Sequence, residues 1–385
     1  MKKIVLAILL CSNFYASAQI LSHYSDISIL TVGPGDNLND SFGHSAIRVK
    51  DYVMNYDIVF DYGRYDFNSP NFYLKFARGQ LDYQLGVSYF DDFFDIYLRQ
   101  GRSIDSQTLD LTQEEKQQIF SYLLTNNLPE NRAYRYDFFY DNCANRIPLV
   151  LEESLTDSLS YQYPKEFKIK TFRDLIYECV DKNSWGSFGI DLALGSVIDK
   201  PTSLEDQLFL PKYVRSYFEN AQRKGGKKLI KKSENLLEEK PVEKEYSLAN
   251  PMTVLTSFSL ILLVLTIVDW KRQKRFKWLD VMLFLSTGLL GVLVLLLWFA
   301  TDHTATAFNY NFLWAFAPNV LMFVAISRSQ LATWMKGYLK FLLLLMALMV
   351  MHAITKVQVF SWALFPFCLA LAFRYFFLLR QFKKA

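Results

Sequence analysis

Ser41-Phe42-Gly43-His44-Ser45-Ala46-Ile47-Arg48-Val49 places a histidine at the head of an alternating apolar strand. Far downstream, Tyr136-Asp137-Phe138-Phe139-Tyr140-Asp141-Asn142-Cys143-Ala144-Asn145-Arg146-Ile147 places a cysteine where an aromatic strand is expected to turn into a helix. These two stretches decide how the first part of the chain is read. A thiol at a helix N-terminus meets the positive end of the helix dipole, which lowers its pKa and favours the thiolate. An imidazole beside it completes a nucleophile–base pair. The competing reading is a small cysteine that merely fills a core. With 4 cysteines and 4 histidines in the chain, the choice of candidates is narrow.

Outward from His44, Ile27 to Val32 and Ile58 to Tyr62 read as strands, and Tyr83 to Val87 adds another. Thr112-Gln113-Glu114-Glu115 has the form of a capping box opening a helix to about Asn126, with Ile119, Phe120, Leu123 and Leu124 on its apolar face. Tyr134 to Tyr140 is strand-like, and a helix is expected from Cys143 through Leu151, with Pro148 tolerable only in its first turn. These elements predict an α+β domain, not a doubly wound sheet. Trp185 to Gly195 is glycine-punctuated and aromatic; without the lysine and spacing of a phosphate loop, it reads as a tightly packed loop.

A third group orients the base in such sites. Asp57 and Asp61 stand an even number of residues apart on the strand after His44, so they share a face. Asp61 is preferred, with Asp57 open. Asn142 and Asn145 flank Cys143 and are candidate oxyanion donors, and Arg146 is a candidate for a phosphate or carboxylate. Cys179 is the other cysteine of this region, so a Cys143–Cys179 disulfide is the main alternative to catalysis. The histidines have no metal-ligand spacing. No metal, soluble cofactor or nucleic-acid partner is expected.

The chain is 51% hydrophobic and 16% aromatic, and the apolar excess is unevenly placed. Residues 1–18 read as a signal peptide, with Lys2-Lys3 before an apolar core and Ala16-Ser17-Ala18 as the cleavage site. Residues 19–222 form the exported α+β domain, and 223–250, rich in Lys and Glu, a charged linker. Within 251–385, five apolar segments at about 251–269, 278–300, 311–326, 337–353 and 357–379 approach the ~20 residues of a membrane helix. Lys271, Arg272, Lys274, Arg275 and Lys277 crowd one loop, and Arg380, Lys383 and Lys384 the C-terminus, whereas the alternate loops are nearly free of them. The positive-inside rule then places the C-terminus in the cytoplasm and the first domain outside. The non-cytoplasmic loop Thr301 to Asn311 carries His303 and Asn309, candidates to hold a headgroup or an incoming amine.

The Gly43-His44-Ser45 and Asp61-Tyr62-Gly63 strands, Asp141-Asn142-Cys143, and a membrane tail with Asp302-His303 and Asn309-Tyr310-Asn311 together resemble Lnb, the thiol-dependent lipoprotein N-acyltransferases. The likeness covers nearly the whole mature chain. Its cysteine half also resembles permuted NlpC/P60 and lecithin–retinol-acyltransferase-like domains, papain-like folds in which the histidine strand comes first. The resemblance implies a permuted papain-like exported domain followed by a five-helix transmembrane domain in the inner membrane, with the catalytic domain on the periplasmic side. It implies acyl transfer from a phospholipid to the α-amine of a diacylated lipoprotein, with Cys143 as nucleophile and His44 as base. The lecithin–retinol pattern has a second histidine where this chain offers Asp57 or Asp61. Two other readings remain at this point: a cell-wall amidase or peptidase using the same pair, and a non-catalytic membrane receptor or scaffold.

Overall fold

Strand alternation builds the exported domain. The computed structural model describes residues 20–155, 159–160, 168–223, 225–240 and 247–382; the expected signal peptide lies outside them. The strands are β1 Ser25–Val32, β2 His44–Asp51, β3 Tyr56–Arg64, β4 Asp82–Tyr89, β5 Ile104–Leu109, β6 Ala133–Arg135 and β7 Ile230–Leu237. They form one sheet in the order β6-β4-β3-β2-β1-β5-β7, with every neighbouring pair antiparallel. Helices α1 Phe72–Ala77, α2 Phe90–Gln100, α3 Gln113–Asn126, α4 Arg146–Ser154, α5 Phe172–Tyr177, α6 Trp185–Ala193, α7 Leu204–Gln207 and α8 Pro211–Glu219 surround it.

Alternate residues sort to opposite faces of the sheet. Ile29, Ile47, Val49 and Phe60 pack with Ile119, Phe120 and Leu123 of α3 and Ile147, Val150 and Leu151 of α4. Leu30, Val32, Ala46 and Val59 pack against Phe93 of α2 on the other face. Burying each such side chain contributes about 1.5–3 kcal/mol, and Phe120→Ala is the single change expected to loosen the larger core most. Helix α3 begins with the predicted capping box: Glu115 N donates to Thr112 Oγ1 at 3.3 Å, and Thr112 N to Glu115 Oε2 at 2.8 Å.

Several expectations need correction. Residues 223–250 are not simply a linker, because β7 pairs with β5 from Ile104 opposite Leu237 to Leu109 opposite Ile230. Lys231, Lys232 and Ser233 of β7 face water; an edge strand accepts this composition, and its lysines discourage further pairing. The expected loop at Trp185 to Gly195 is largely helix α6, whose Ser184 cap accepts from Ser187 N at 3.0 Å. The cost of about 1 kcal/mol for each interior glycine is outweighed by capping and packing. The aromatic run Tyr134 to Tyr140 is strand only as far as Arg135.

The second domain is helical: α9 Pro251–Arg272, α10 Lys277–Phe299, α11 Phe323–Ser327, α12 Met335–Ile354 and α13 Leu364–Gln381. Four of these, α9, α10, α12 and α13, are long and apolar enough to cross a membrane. The expected span at 311–326 is instead a broken pair, Thr304–Leu313 and Ala317–Ser327, bent by 48°, so there are five spans only if the pair counts as one. Close packing explains the break. A Cβ on Gly291 of α10 would stand 1.9 Å from the Ala315 carbonyl oxygen, so the bent segment lies directly on the backbone of α10. At the bundle end away from the exported domain, Arg374 reaches Asp269 at 2.7 Å and Asp280 at 2.8 Å, and Arg275 reaches Asp280 at 2.9 Å. Charges this deeply buried persist only when paired.

Candidate active site

Strand register selects the partner of His44. Ile47 lies opposite Phe60 and Arg48 opposite Val59. Continuing this pairing sets Asp61 beside Ala46, diagonal to His44. His44 Nε2 is 3.3 Å from Asp61 Oδ2. Asp57 shares that face but sits farther along it, where its two oxygens hold Arg48 Nε and Nη2 at 2.6 and 2.5 Å. The carboxylate beside the imidazole is therefore Asp61. Arg64 also holds it: Nε donates to the same Oδ2 at 3.0 Å, while Nη2 lies 2.6 Å from Oδ1 but is poorly aimed for a hydrogen bond.

A turn, not a helix, presents Cys143. Helix α4 starts at Arg146 with Asn145 at its N-cap position, so the cysteine precedes the first helical turn. Asn142 holds the turn together. Its Oδ1 accepts from the N–H groups of Ala144 at 2.7 Å and Asn145 at 3.0 Å. Its Nδ2 donates to the carbonyls of Phe138 and Phe209, both at 2.8 Å. The thiol lies near His44 and the Ser45 N–H, and both act on its ionisation.

The electrostatics favour a charged pair. Burial pushes the Cys143 thiol up, but the neighbouring His44 and the Ser45 N–H together bring it below its ordinary value. Burial likewise opposes the imidazolium. The neighbouring Tyr97, Cys143 and Asp61 outweigh it and hold His44 well above 6.5. Asp61 stays below its usual range because His44 and Arg64 overcome its own burial. Both shifts favour a thiolate–imidazolium pair over the neutral one. The His44 side chain remains 17% exposed, so the pair is open to a substrate.

Both halves of the chain match models of one family. The Lnb N-terminal periplasmic domain matches residues 15–178, and the Lnb transmembrane domain matches residues 243–385. The chain belongs to the Lnb family. It is thus a multi-span membrane protein with an N-terminal periplasmic domain, in which a sheet with helices precedes a helical bundle. No curated protein and no solved structure matches it.

Other residues singled out in this Lnb-family sequence have structural partners. The Asn142 amide is committed to the turn, and so is that of Asn145, whose Oδ1 accepts from Asn142 N at 3.2 Å and whose Nδ2 donates to the Phe139 carbonyl at 3.3 Å. This engages both N–H groups of the Asn142 amide and one of the two on Asn145. Arg146 is held by Asp141 through contacts of 2.5 and 2.6 Å and lies over the Tyr134 ring at 4.2 Å. Asn309 is buried, donating to the carbonyls of Leu192 at 2.8 Å and Ala193 at 3.0 Å. With Asn311, which donates to the Asp191 carbonyl at 2.8 Å, it fastens the membrane domain to α6. At this seam Gly195 is required, since a Cβ there would stand 1.9 Å from the Ala307 carbonyl oxygen. His303 is half-buried and donates from Nε2 to the Phe76 carbonyl at 3.2 Å.

The same loop reaches toward the cysteine turn. Thr304 Oγ1 donates to Asp137 Oδ2 at 2.7 Å, and Asp137 pairs with Asp141 across the segment that leads to Cys143. Sequence reading missed Arg64, Tyr97, the Ser45 N–H and Tyr136, whose ring borders Gly63 together with Cys143. Gly63-Arg64 directly follows Asp61-Tyr62, so Arg64 alone had a local signal. Cys143 and Cys179 are both free thiols, so the competing disulfide is not formed.

Proposed function

We propose that this protein is a lipoprotein N-acyltransferase working through a Cys143 thioester. The observation that carries this reading is the Cys143–His44–Asp61 line beside a loop of the membrane domain. A soluble substrate gains nothing from such tethering. Two substrates confined to one bilayer surface gain effective concentration.

The chemistry has two halves. The Cys143 thiolate attacks the carbonyl carbon of a phospholipid ester; the ester C–O bond breaks, and the imidazolium of His44 gives its proton to the departing lysophospholipid oxygen. The neutral α-amine of a diacylglyceryl-cysteine lipoprotein then attacks the thioester. His44 takes a proton from that nitrogen as the C–S bond breaks, restoring the thiolate–imidazolium pair. Asp61 keeps the ring oriented throughout and stabilises its charge. His44 ahead of Cys143 in the chain is the order of permuted papain-like folds, and that relation is part of the proposal.

The protein resides in the inner membrane with its C-terminus in the cytoplasm. The basic loop between α9 and α10 lies at the bundle end opposite the exported domain, which supports this orientation. The decisive experiment is mass spectrometry of the purified full-length protein after incubation with phospholipid vesicles. A hydroxylamine-labile acyl group on Cys143, transferable to a diacylated lipopeptide, is the expected result. An unmodified thiol together with cleavage of a cell-wall peptide would replace the transferase with an amidase.

A further inference from the structure

The segment from Tyr65 to Gln80 has a surface that the fold does not explain. Phe67, Tyr73, Leu74 and Phe76 are exposed at 66%, 82%, 59% and 54%. They are neighbours, on α1 and the turn before it, and only Phe72 of α1 is buried. A contiguous apolar patch on an exported domain calls for an apolar partner.

Its position identifies that partner. Asp302 N donates to the Arg78 carbonyl at 2.8 Å, Gln80 Nε2 donates to Asp302 Oδ2 at 3.0 Å, and His303 holds the Phe76 carbonyl. Asp302 comes three residues after Phe299, the last residue of the membrane-length helix α10. Even fully extended, three residues span roughly 10 Å. Helix α1 therefore lies at the level where α10 leaves the bilayer, near exposed Phe299 and Phe308. Lys75 and Arg78 flank the aromatic residues, the arrangement that suits an interface of apolar chains beneath phosphates.

From this patch a file of rings leads inward. Phe67 and Phe72 each contact Tyr65, at 5.0 and 5.8 Å between centroids. Tyr65 meets Tyr83 at 5.2 Å, and Tyr83 stacks on Tyr136 at 4.2 Å. Tyr136 and Cys143 both border Gly63, where a Cβ would lie 4.0 Å from the Tyr136 ring and 3.8 Å from Cys143 Cβ. The patch at the membrane surface and the thiol are thus two ends of one aromatic wall.

We infer that residues 65–78 dip into the outer face of the bilayer that α10 crosses, and that the wall Tyr65–Tyr83–Tyr136 guides a phospholipid acyl chain from that surface to Cys143. The guiding role rests on the thioester reading; the membrane contact does not. Two arms separate them. In the first, a photoreactive benzoylphenylalanine replaces Phe67, Tyr73 or Phe76 in the full-length protein, reconstituted in phosphatidylethanolamine–phosphatidylglycerol vesicles. Tyr52 is the control: it is 60% exposed but follows the far end of β2 from His44, roughly 23 Å along the strand. Phospholipid adducts are expected at the three positions and not at Tyr52. Their absence, or equal labelling at Tyr52, overturns the membrane contact.

In the second arm, Tyr73→Asp and Phe76→Asp are combined. Acylation of Cys143 is measured from the same vesicles and from a short-chain water-soluble ester. The ratio of the vesicle rate to the soluble-ester rate is expected to fall about tenfold, since a charge now faces the apolar interface. An unchanged ratio overturns the guiding role, whether both rates fall together or neither does. Wild-type protein that takes an acyl group from neither donor would refute the thioester and the guiding role with it, while the crosslinks still decide the contact.

Discussion

Cys143 and Cys179 belong to the same domain, and both are half-buried free thiols, yet their surroundings drive them in opposite directions. At Cys179, burial pushes the thiol up, and the nearby Lys212 does not overcome it. At Cys143, the same penalty is overcome by the His44 imidazole and the Ser45 N–H, while Asp61 acts on the imidazole and by itself opposes the thiolate. Burial alone makes a cysteine inert. A reactive thiol needs a cation and a donor assembled around it before any substrate arrives. The difference lies in strand register and turn geometry, because no feature of the thiol distinguishes the two.

The largest effect that can break this comparison is loss of the pair itself. Cys143→Ser and His44→Ala are each expected to lower acyl transfer by at least about a thousandfold, measured on a diacylated lipopeptide, with folding retained by circular dichroism. A His44→Ala enzyme with near-normal turnover would leave Cys143 no different in kind from Cys179. Next is Asp61→Asn, for which a loss of roughly a hundredfold is expected. Its sign is testable in a pH profile. Removing the anion lets the His44 pKa fall, so the thiolate loses its cation at lower pH, and alkylation of Cys143 by iodoacetamide shifts to higher pH. Wild-type Cys143 should alkylate below the ordinary thiol range and Cys179 above it; coincident profiles would dissolve the distinction.

Asn142→Ala sharpens the comparison from the side of the turn. It strips partners from two carbonyls and two N–H groups around a buried position, and a thermal melt should register a loss of roughly 2–4 kcal/mol. If Asn142 served an oxyanion instead, stability would hold while turnover collapsed. His303→Ala should be milder, about tenfold in the vesicle-dependent rate, because it loosens the contact of α1 with the membrane loop. The smallest effect is Cys179→Ser, expected to stay within about twofold of wild type, since surface or half-buried groups outside a network rarely matter more.

Much of the exported domain was legible in the chain because its signals are local. The period-2 runs from Ile27 and His44, and the Thr112–Glu115 cap, each depend on residues within one element, and each is present. Elements whose stability comes from elsewhere were harder to read. Strand β7 looks like a charged linker because its hydrogen bonds come from β5 and its outer side faces water. Helix α6 looks like a loop because its glycines lower helix propensity, and only the Ser184 cap and the Asn309–Asn311 seam reveal why it forms. The bent segment at Thr304–Ser327 passed as a membrane span on hydropathy alone, since hydropathy does not register a backbone packed on Gly291.

The site divides in the same way. Composition, alternation and the scarcity of cysteine and histidine determined by themselves that His44 and Cys143 were the pair to examine, and that a polar domain precedes an apolar bundle. Even spacing put Asp57 and Asp61 on one face but left both available. Only the β2–β3 register decided between them, because antiparallel pairing brings Asp61 within 3.3 Å of His44 and gives Asp57 to Arg48. Only the folded turn showed that the Asn142 and Asn145 amides serve the backbone. Only the docking of α1 on the loop after α10 aligned a membrane-facing patch with the thiol. These are contacts between residues distant in sequence, set by the simultaneous closure of a sheet, a turn and a bundle, and no local pattern encodes them.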